Sequence, residues 1–185
     1  MGQVNCYLVQ AREGYVQVDT GSSNQRTVLE TRLEQAGCRP GSLKLIVITH
    51  GDFDHTGNAA YLRQKFSAPI GMHSNDAGMA ERGDMFWNRK SGNALIRWAA
   101  PLLFRFGSVY RFSPDVALED GQSLSEYGLN ASILLLPGHS SGSIGVLTAE
   151  GDLLCGDLLE NSKRPALNSI MDDPPAAKAS IEKLR

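Results

Sequence analysis

Four side chains able to bind a cation, His50, Asp52, Asp54 and His55, crowd one short run, with the hydroxyl of Thr49 just before them. The run follows Leu45-Ile46-Val47-Ile48, an apolar stretch too short for a helix of its own and therefore a buried strand. The polar set thus falls where a strand ends and a helix is about to start, the sheet edge at which open α/β folds bind ligands. In a loop, the spacing i, i+2, i+4, i+5 lets imidazoles and carboxylates converge on a point. Imidazole nitrogen and carboxylate oxygen together suit zinc, iron or manganese, whereas an all-oxygen set would indicate calcium or magnesium. The structural alternative is a polar strand-to-helix turn with Asp54 as the helix N-cap.

Two further groups repeat this placement. His139 lies in Pro137-Gly138-His139-Ser140-Ser141-Gly142, a glycine-containing loop after the apolar run Ile133 to Leu136. Asp157 ends Leu153-Leu154-Cys155-Gly156-Asp157. Taken singly, a histidine in a loop and an aspartate at a strand end are weak signals. Ser140 and Ser141 are loop residues, because no spare histidine stands in a recognisable triad order. His73 reads as a turn-positioning residue. The cysteines Cys6, Cys38 and Cys155 are odd in number and widely spaced, so they read as reduced core thiols and not as a zinc knuckle or redox pair.

The elements that must carry these groups form a layered pattern. Val4 to Val9 and Tyr15 to Asp19 flank a turn at Gly14 and read as a hairpin. Gln25 to Ala36 places Val28, Leu29, Leu33 and Ala36 on one helical face and stops at Gly37. A strand at Leu43 to Thr49, a helix at Asn58 to Phe66 and a strand at Pro69 to His73 follow. Ala131 to Leu136, Ser143 to Thr148 and Asp152 to Cys155 give three more strands. Between them, residues 84–112 interleave Phe86, Trp87, Leu95, Trp98 and Phe104 with Arg89, Lys90, Arg97 and Arg105, which reads as an inserted helical cap. The cap holds no histidine or cysteine, so it is expected to govern substrate choice, not metal binding, or to serve as a homodimer contact.

A chain of 185 residues suits one domain, 1–185, with a sizeable core. Its net charge of −2 gives no general attraction to nucleic acid or to an anionic membrane. Met1 to Val9 lacks the basic flank and continuous apolar stretch of a secretion signal, and no stretch reads as a spanning helix, so a cytoplasmic location is expected.

Together, Asp19-Thr20-Gly21, the loop His50 to His55, Pro137-Gly138-His139 and Gly156-Asp157 resemble, in order, four motifs of the metallo-β-lactamase superfamily. The resemblance covers nearly the whole chain. It implies an α/β (α+β) fold, a four-layer αββα sandwich with a metal site along one edge of two packed sheets. It implies that His50 and His139 bind one divalent ion, Asp54 and His55 a second, and that Asp157 bridges them. It also implies a hydrolase for a small-molecule substrate, an ester, lactone, thioester, amide or phosphodiester, attacked by hydroxide formed on the metal, with Asp54 also catalytic. A bound divalent ion lowers the pKa of its water from about 15.7 to about 7.

The chain departs from the family in two places. Asp52 stands where the loop H-x-H-x-D-H has its second histidine, and a carboxylate there favours iron or manganese beside the family's usual zinc. No histidine follows His139, and the end, Ser180 to Arg185, resembles the helix before the family's last ligand loop. The chain therefore reads as lacking its last helix and strand elements, with one or two ions bound. Two rival readings stay open: an iron-dependent oxidoreductase of the sulfur dioxygenase kind, and a metal-binding scaffold of little activity. Substrate-binding residues are not identifiable from the sequence.

Overall fold

The computed structural model describes residues 4–90, 107–161 and 164–185. Strands β1 (Tyr7–Ala11) and β2 (Gly14–Val18) form an antiparallel hairpin with Tyr7 opposite Val18. β2 then pairs in parallel with β3 (Leu43–Val47), β3 with β4 (Ile70–Met72) and β4 with β5 (Val116–Ala117), giving the order β1-β2-β3-β4-β5. A second sheet is the antiparallel meander β6 (Ala131–Leu135), β7 (Ile144–Thr148) and β8 (Leu153–Leu154). β9 (Leu159–Asn161) and β10 (Pro165–Leu167) make a short ribbon. The helices are α1 (Arg26–Gln35), α2 (Phe53–Thr56), α3 (Ala59–Phe66), α4 (Ser74–Arg82) and α5 (Pro174–Lys183).

Alternation along β3 shows why these elements stack in layers. Ile46 and Ile48 face one side and pack with Leu29 and Leu33 of α1 and Leu62 and Phe66 of α3. Leu45 and Val47 face the other and, with Val16 and Val18 of β2, meet Ile133, Ile144 and Val146 of the second sheet. Behind that sheet, Leu136 and Leu158 pack on Ala177 of α5, with Ile181 partly buried beside them. The result is helix, sheet, sheet, helix, as expected. Each fully buried Leu, Ile or Val side chain contributes about 1.5–3 kcal/mol, so the doubly covered β3 anchors both inner interfaces.

Parallel pairing puts the carboxyl ends of β2, β3 and β4 at one sheet edge, so Asp19, Thr49, His50 and His73 emerge there. The Ile144 amide at the start of β7 donates to the Thr49 carbonyl at 2.9 Å and ties the second sheet to the same edge.

Two points of the sequence reading need revision. Val28 and Ala36 are exposed, and α1 buries only Leu29 and Leu33. Helix α4 was not expected, because Gly78 interrupts its apolar stripe, yet Met79 and Ala80 bury one face and His73 caps it by accepting from the Asn75 amide at 3.2 Å. Most of the expected helical cap, 91–106 of residues 84–112, lies outside the described residues; of the rest, 85–88 are turns and Ser108–Tyr110 is a 3-10 turn.

Candidate metal centre

Site geometry begins at Asp19, just past β2, with φ +56°, a left-handed conformation that aspartate tolerates better than most residues. Its carboxylate accepts from the Thr49 amide at 2.8 Å and the Thr49 hydroxyl at 2.7 Å. The same oxygen that takes the hydroxyl lies 2.8 Å from His55 Nδ1. The Thr49 hydroxyl has one proton and gives it to Asp19, so its lone pair faces His50 Nδ1 at 3.0 Å. Both imidazoles are thereby fixed as Nδ1–H donors, and both Nε2 atoms are left free, a tautomer choice made from outside the pocket. Gly156 belongs to this relay by close approach, since a Cβ there would lie 2.5 Å from Thr49 Oγ1.

The loop from His50 to His55 then turns into α2. Asp52 occupies the N-cap position, yet its side chain makes no cap hydrogen bond. It turns instead to His139, with Oδ2 3.0 Å from Nε2, and to Arg89, whose guanidinium pairs with Oδ1. Asp54 is not the N-cap; it sits half-buried in the first turn of α2. His139 is held from behind by the Ile170 carbonyl, 2.7 Å from Nδ1. Asp157 follows β8 and reaches within 3.2 Å of His55 Nε2.

These contacts bring His50, Asp52, His55, His139 and Asp157 together. The His50 ring lies 4.0 Å from that of His55 and 4.6 Å from that of His139, centre to centre. His50, His139 and Asp157 each offer one ligand atom, all within 4.8 Å of one another. Asp54 is not in that trio, but it lines, with His55 and Asp157, a groove of about 690 Å³ that also includes Tyr7, Glu160 and Ile170.

A cation fits these residues on two grounds. Among the described residues, Nε2 of His50 and Nε2 of His55 are buried without a hydrogen-bond partner, a costly condition for a polar atom unless a ligand claims the lone pair. The donor set also mixes imidazole with carboxylate, as zinc, iron and manganese prefer. Without a cation, the three histidines differ in charge. Burial, then the neighbouring His55, pushes the His50 pKa down, so this ring is neutral and ready to ligate. Burial also opposes charge on His55, but Asp19 and Asp157 outweigh it and hold that pKa well above the usual histidine range. His139 is raised as well, the Asp52 carboxylate outweighing burial. Burial would raise the carboxyl pKa of Asp157, yet the His55 ring 3.2 Å away and the other histidines around it pull it down to about 2. Asp52 is held well below the carboxylate range, with His139, His50 and Arg89 overcoming its burial.

Residues beyond the sequence-derived set hold the site in shape. Asp76 of α4 accepts from the Gly51 amide at 3.1 Å, the Gly142 amide at 2.8 Å and the Ser140 hydroxyl at 2.6 Å, clamping the His50 loop to the His139 loop. Arg89 reaches the site from the segment expected to stand apart from it. Asp19 carried a signal, a carboxylate at a strand end before the histidine loop. Nothing in the local sequence marks Asp76, or singles out Arg89 from the other arginines around it. His73 caps α4 and lies 3.7 Å from Glu119.

Among the described residues, no helix is long and apolar enough to cross a membrane. The profile of the metallo-beta-lactamase superfamily matches residues 1–185. The chain is 31% identical over 160 residues to hydroxyacylglutathione hydrolase GloC of Haemophilus influenzae, covering 85% of this chain and 67% of that protein. It is 29% identical to the acyl-coenzyme A thioesterase MBLAC2 of Bos taurus, covering 77% and 53%. Among solved structures, TTHA1623 in a di-iron-bound form superposes with a TM-score of 0.70 at 27% identity, covering 98% of this chain and 80% of that one. The chain thus spans about half to two thirds of the length of the two named hydrolases. With the full-length profile match, the αββα layers and the histidine and carboxylate cluster at the sheet edge, the chain belongs to the metallo-β-lactamase superfamily, and its kinship is with metal-dependent hydrolases.

Proposed function

We propose that this chain hydrolyses an acyl thioester or a related acyl ester with the help of a divalent cation. One observation carries the reading: Nε2 of His50 and Nε2 of His55 are buried with no hydrogen-bond partner among the described residues, and His55 lines a groove together with the carboxylates Asp54 and Asp157. His50, His139 and Asp157 would hold one ion, with Oδ2 of Asp52 beside the two imidazole nitrogens. Asp54 and His55 would hold a second, sharing Asp157. Bound there, a divalent cation supplies Lewis acidity and makes a water acidic enough to attack at neutral pH.

The chain's own residues supply the rest. Asp19 and Thr49 keep His50 and His55 in the ligating tautomer. Asp54 makes no hydrogen bond or ion pair among the described residues, so a carboxylate oxygen of Asp54 is free to take a proton from the attacking water and return it to the leaving group. Thioesters are favoured over other acyl compounds because two relatives are named for hydrolysing hydroxyacylglutathione and acyl-coenzyme A.

The test is to strip the protein of metal, reload it with zinc, manganese or iron(II), and measure stoichiometry alongside hydrolysis of S-acylglutathione, acyl-coenzyme A, lactones and phosphodiesters. Metal-dependent thioester hydrolysis, lost in His139→Ala, is expected. No bound metal at saturating concentrations of all three would overturn the reading. An iron-dependent reaction has one point in its favour, the di-iron form of a structural relative. Oxygen consumption with a persulfide substrate, without thioester hydrolysis, would select it instead.

A further inference from the structure

Asp52 and Arg89 form a buried ion pair at the centre of the site, each side chain 8% exposed. Each guanidinium nitrogen is engaged: Nε donates to the Met85 carbonyl at 2.9 Å, one terminal nitrogen to the His139 carbonyl at 3.2 Å, and the other to Asp52 Oδ1. Its approach is built into the fold. The segment after α4 turns over Asp84, which accepts the Phe86 amide at 3.0 Å, and Asn88 takes a left-handed φ of +60° just before Arg89. Trp87 lies under Arg82, 3.8 Å from guanidinium carbon to ring centre, and so close to α4 that a Cβ on Gly78 would come within 2.3 Å of its indole nitrogen. Beyond it, the Lys90 amide donates to Asp172 at 2.8 Å. Arg89 is delivered from a turn locked on both sides.

The two carboxylate oxygens of Asp52 therefore face different surroundings. Oδ2 lies 3.0 Å from His139 Nε2 and 3.7 Å from His50 Nε2, among the nitrogens that would ligate a cation. Oδ1 points away, to Arg89. We propose that Arg89 is a specificity-determining positioning residue: by holding Oδ1 it limits Asp52 to one oxygen toward the cation and cancels its charge there. Asp52 with Arg89 then presents one donor atom and no net charge, as a neutral imidazole would. The physical consequence is a preference for zinc over harder ions, because the extra negative charge and second oxygen that would attract manganese are both taken up. Lysine would do this poorly, since a point-like ammonium cannot reach Asp52 and the His139 carbonyl in one planar fork.

This inference rests on the cation reading above, and its test separates the two. Zinc and manganese affinities are measured by competition with a chromophoric chelator for wild type, Arg89→Met, Arg89→Lys, Asp52→Asn and the double variant Asp52→Asn/Arg89→Met. Arg89→Met is expected to raise manganese affinity relative to zinc on the order of tenfold, with Arg89→Lys between it and wild type. Asp52→Asn leaves the guanidinium uncompensated and is expected to weaken both metals on the order of tenfold, with the double variant recovering most of the loss. The second pair decides the matter if Arg89→Met does not fold. An unchanged manganese-to-zinc ratio in Arg89→Met, or equal affinities for Asp52→Asn and the double variant, would overturn the role of Arg89 while leaving the metal site standing. A wild type that binds neither ion would overturn the metal reading and this inference with it.

Discussion

The two sides of the site are held by different physics. On one side, Asp19 reaches His55 directly and His50 through Thr49, all from strand ends or the turn that follows, with every polar atom aimed by its backbone position. On the other, His139 and Asp52 are set by an arginine delivered from a distant turn and by the carbonyl of Ile170. The first side is a short relay of hydrogen bonds that selects a tautomer. The second is a buried ion pair that sets charge. A relay tolerates little, because each proton has one place to go, whereas an ion pair can be replaced as a unit if both members change together.

Breaking the relay should have the largest effect. Asp19→Ala removes the acceptor for the Thr49 amide, the Thr49 hydroxyl and His55 Nδ1 at once. Metal affinity should fall about 10–100-fold, as when a group orienting metal ligands is lost, while the isolated protein is destabilised by about 3 kcal/mol or more. Calorimetric zinc titration and urea denaturation measure the two. Affinity within twofold of wild type would mean the histidines find the right tautomer unaided.

A smaller effect is expected where the two sides are joined. Asp76→Asn keeps one acceptor oxygen and loses the other, so the Gly51 amide and Ser140 hydroxyl, or the Gly142 amide, lose a buried partner. A cost of about 1–3 kcal/mol follows from one unsatisfied buried group. If stability drops while zinc affinity holds, Asp76 shapes the loops without setting the distance between His50 and His139.

The gentlest probe is pH on the metal-free protein. His55 has a folded pKa above its unfolded value of about 6.5, so its stabilisation is complete below that pH and is lost as pH climbs through the folded value. Asp157, at about 2 when folded, contributes above its unfolded value of about 4 and loses that as pH falls toward 2. Metal-free protein should therefore gain most from this pair between about pH 4 and 6.5, and its Tm should decline on the alkaline side. Asp157→Asn should flatten that decline; an equal slope in both proteins would assign it to other groups. Zinc binding should release protons from His55 and His139, visible as a buffer-dependent calorimetric enthalpy.

Much of this protein is legible from its residues alone. The apolar run Leu45 to Ile48 announces a strand covered on both faces, and the polar run after it announces a site, because periodicity and strand-end position are local properties. The three later strands and the two earlier ones follow from the same kind of signal. Helix α4 did not, since Gly78 breaks its stripe for the sake of Trp87, a partner visible only in the folded chain. Asp52 shows the limit most clearly. Its sequence position establishes that a carboxylate replaces an imidazole, and that alone predicts an added charge. Whether the charge is felt depends on Arg89, 37 positions away, and on a turn whose path is set by packing against α4. Electrostatic interactions act through space, so the partner that cancels a charge need carry no mark in the chain nearby.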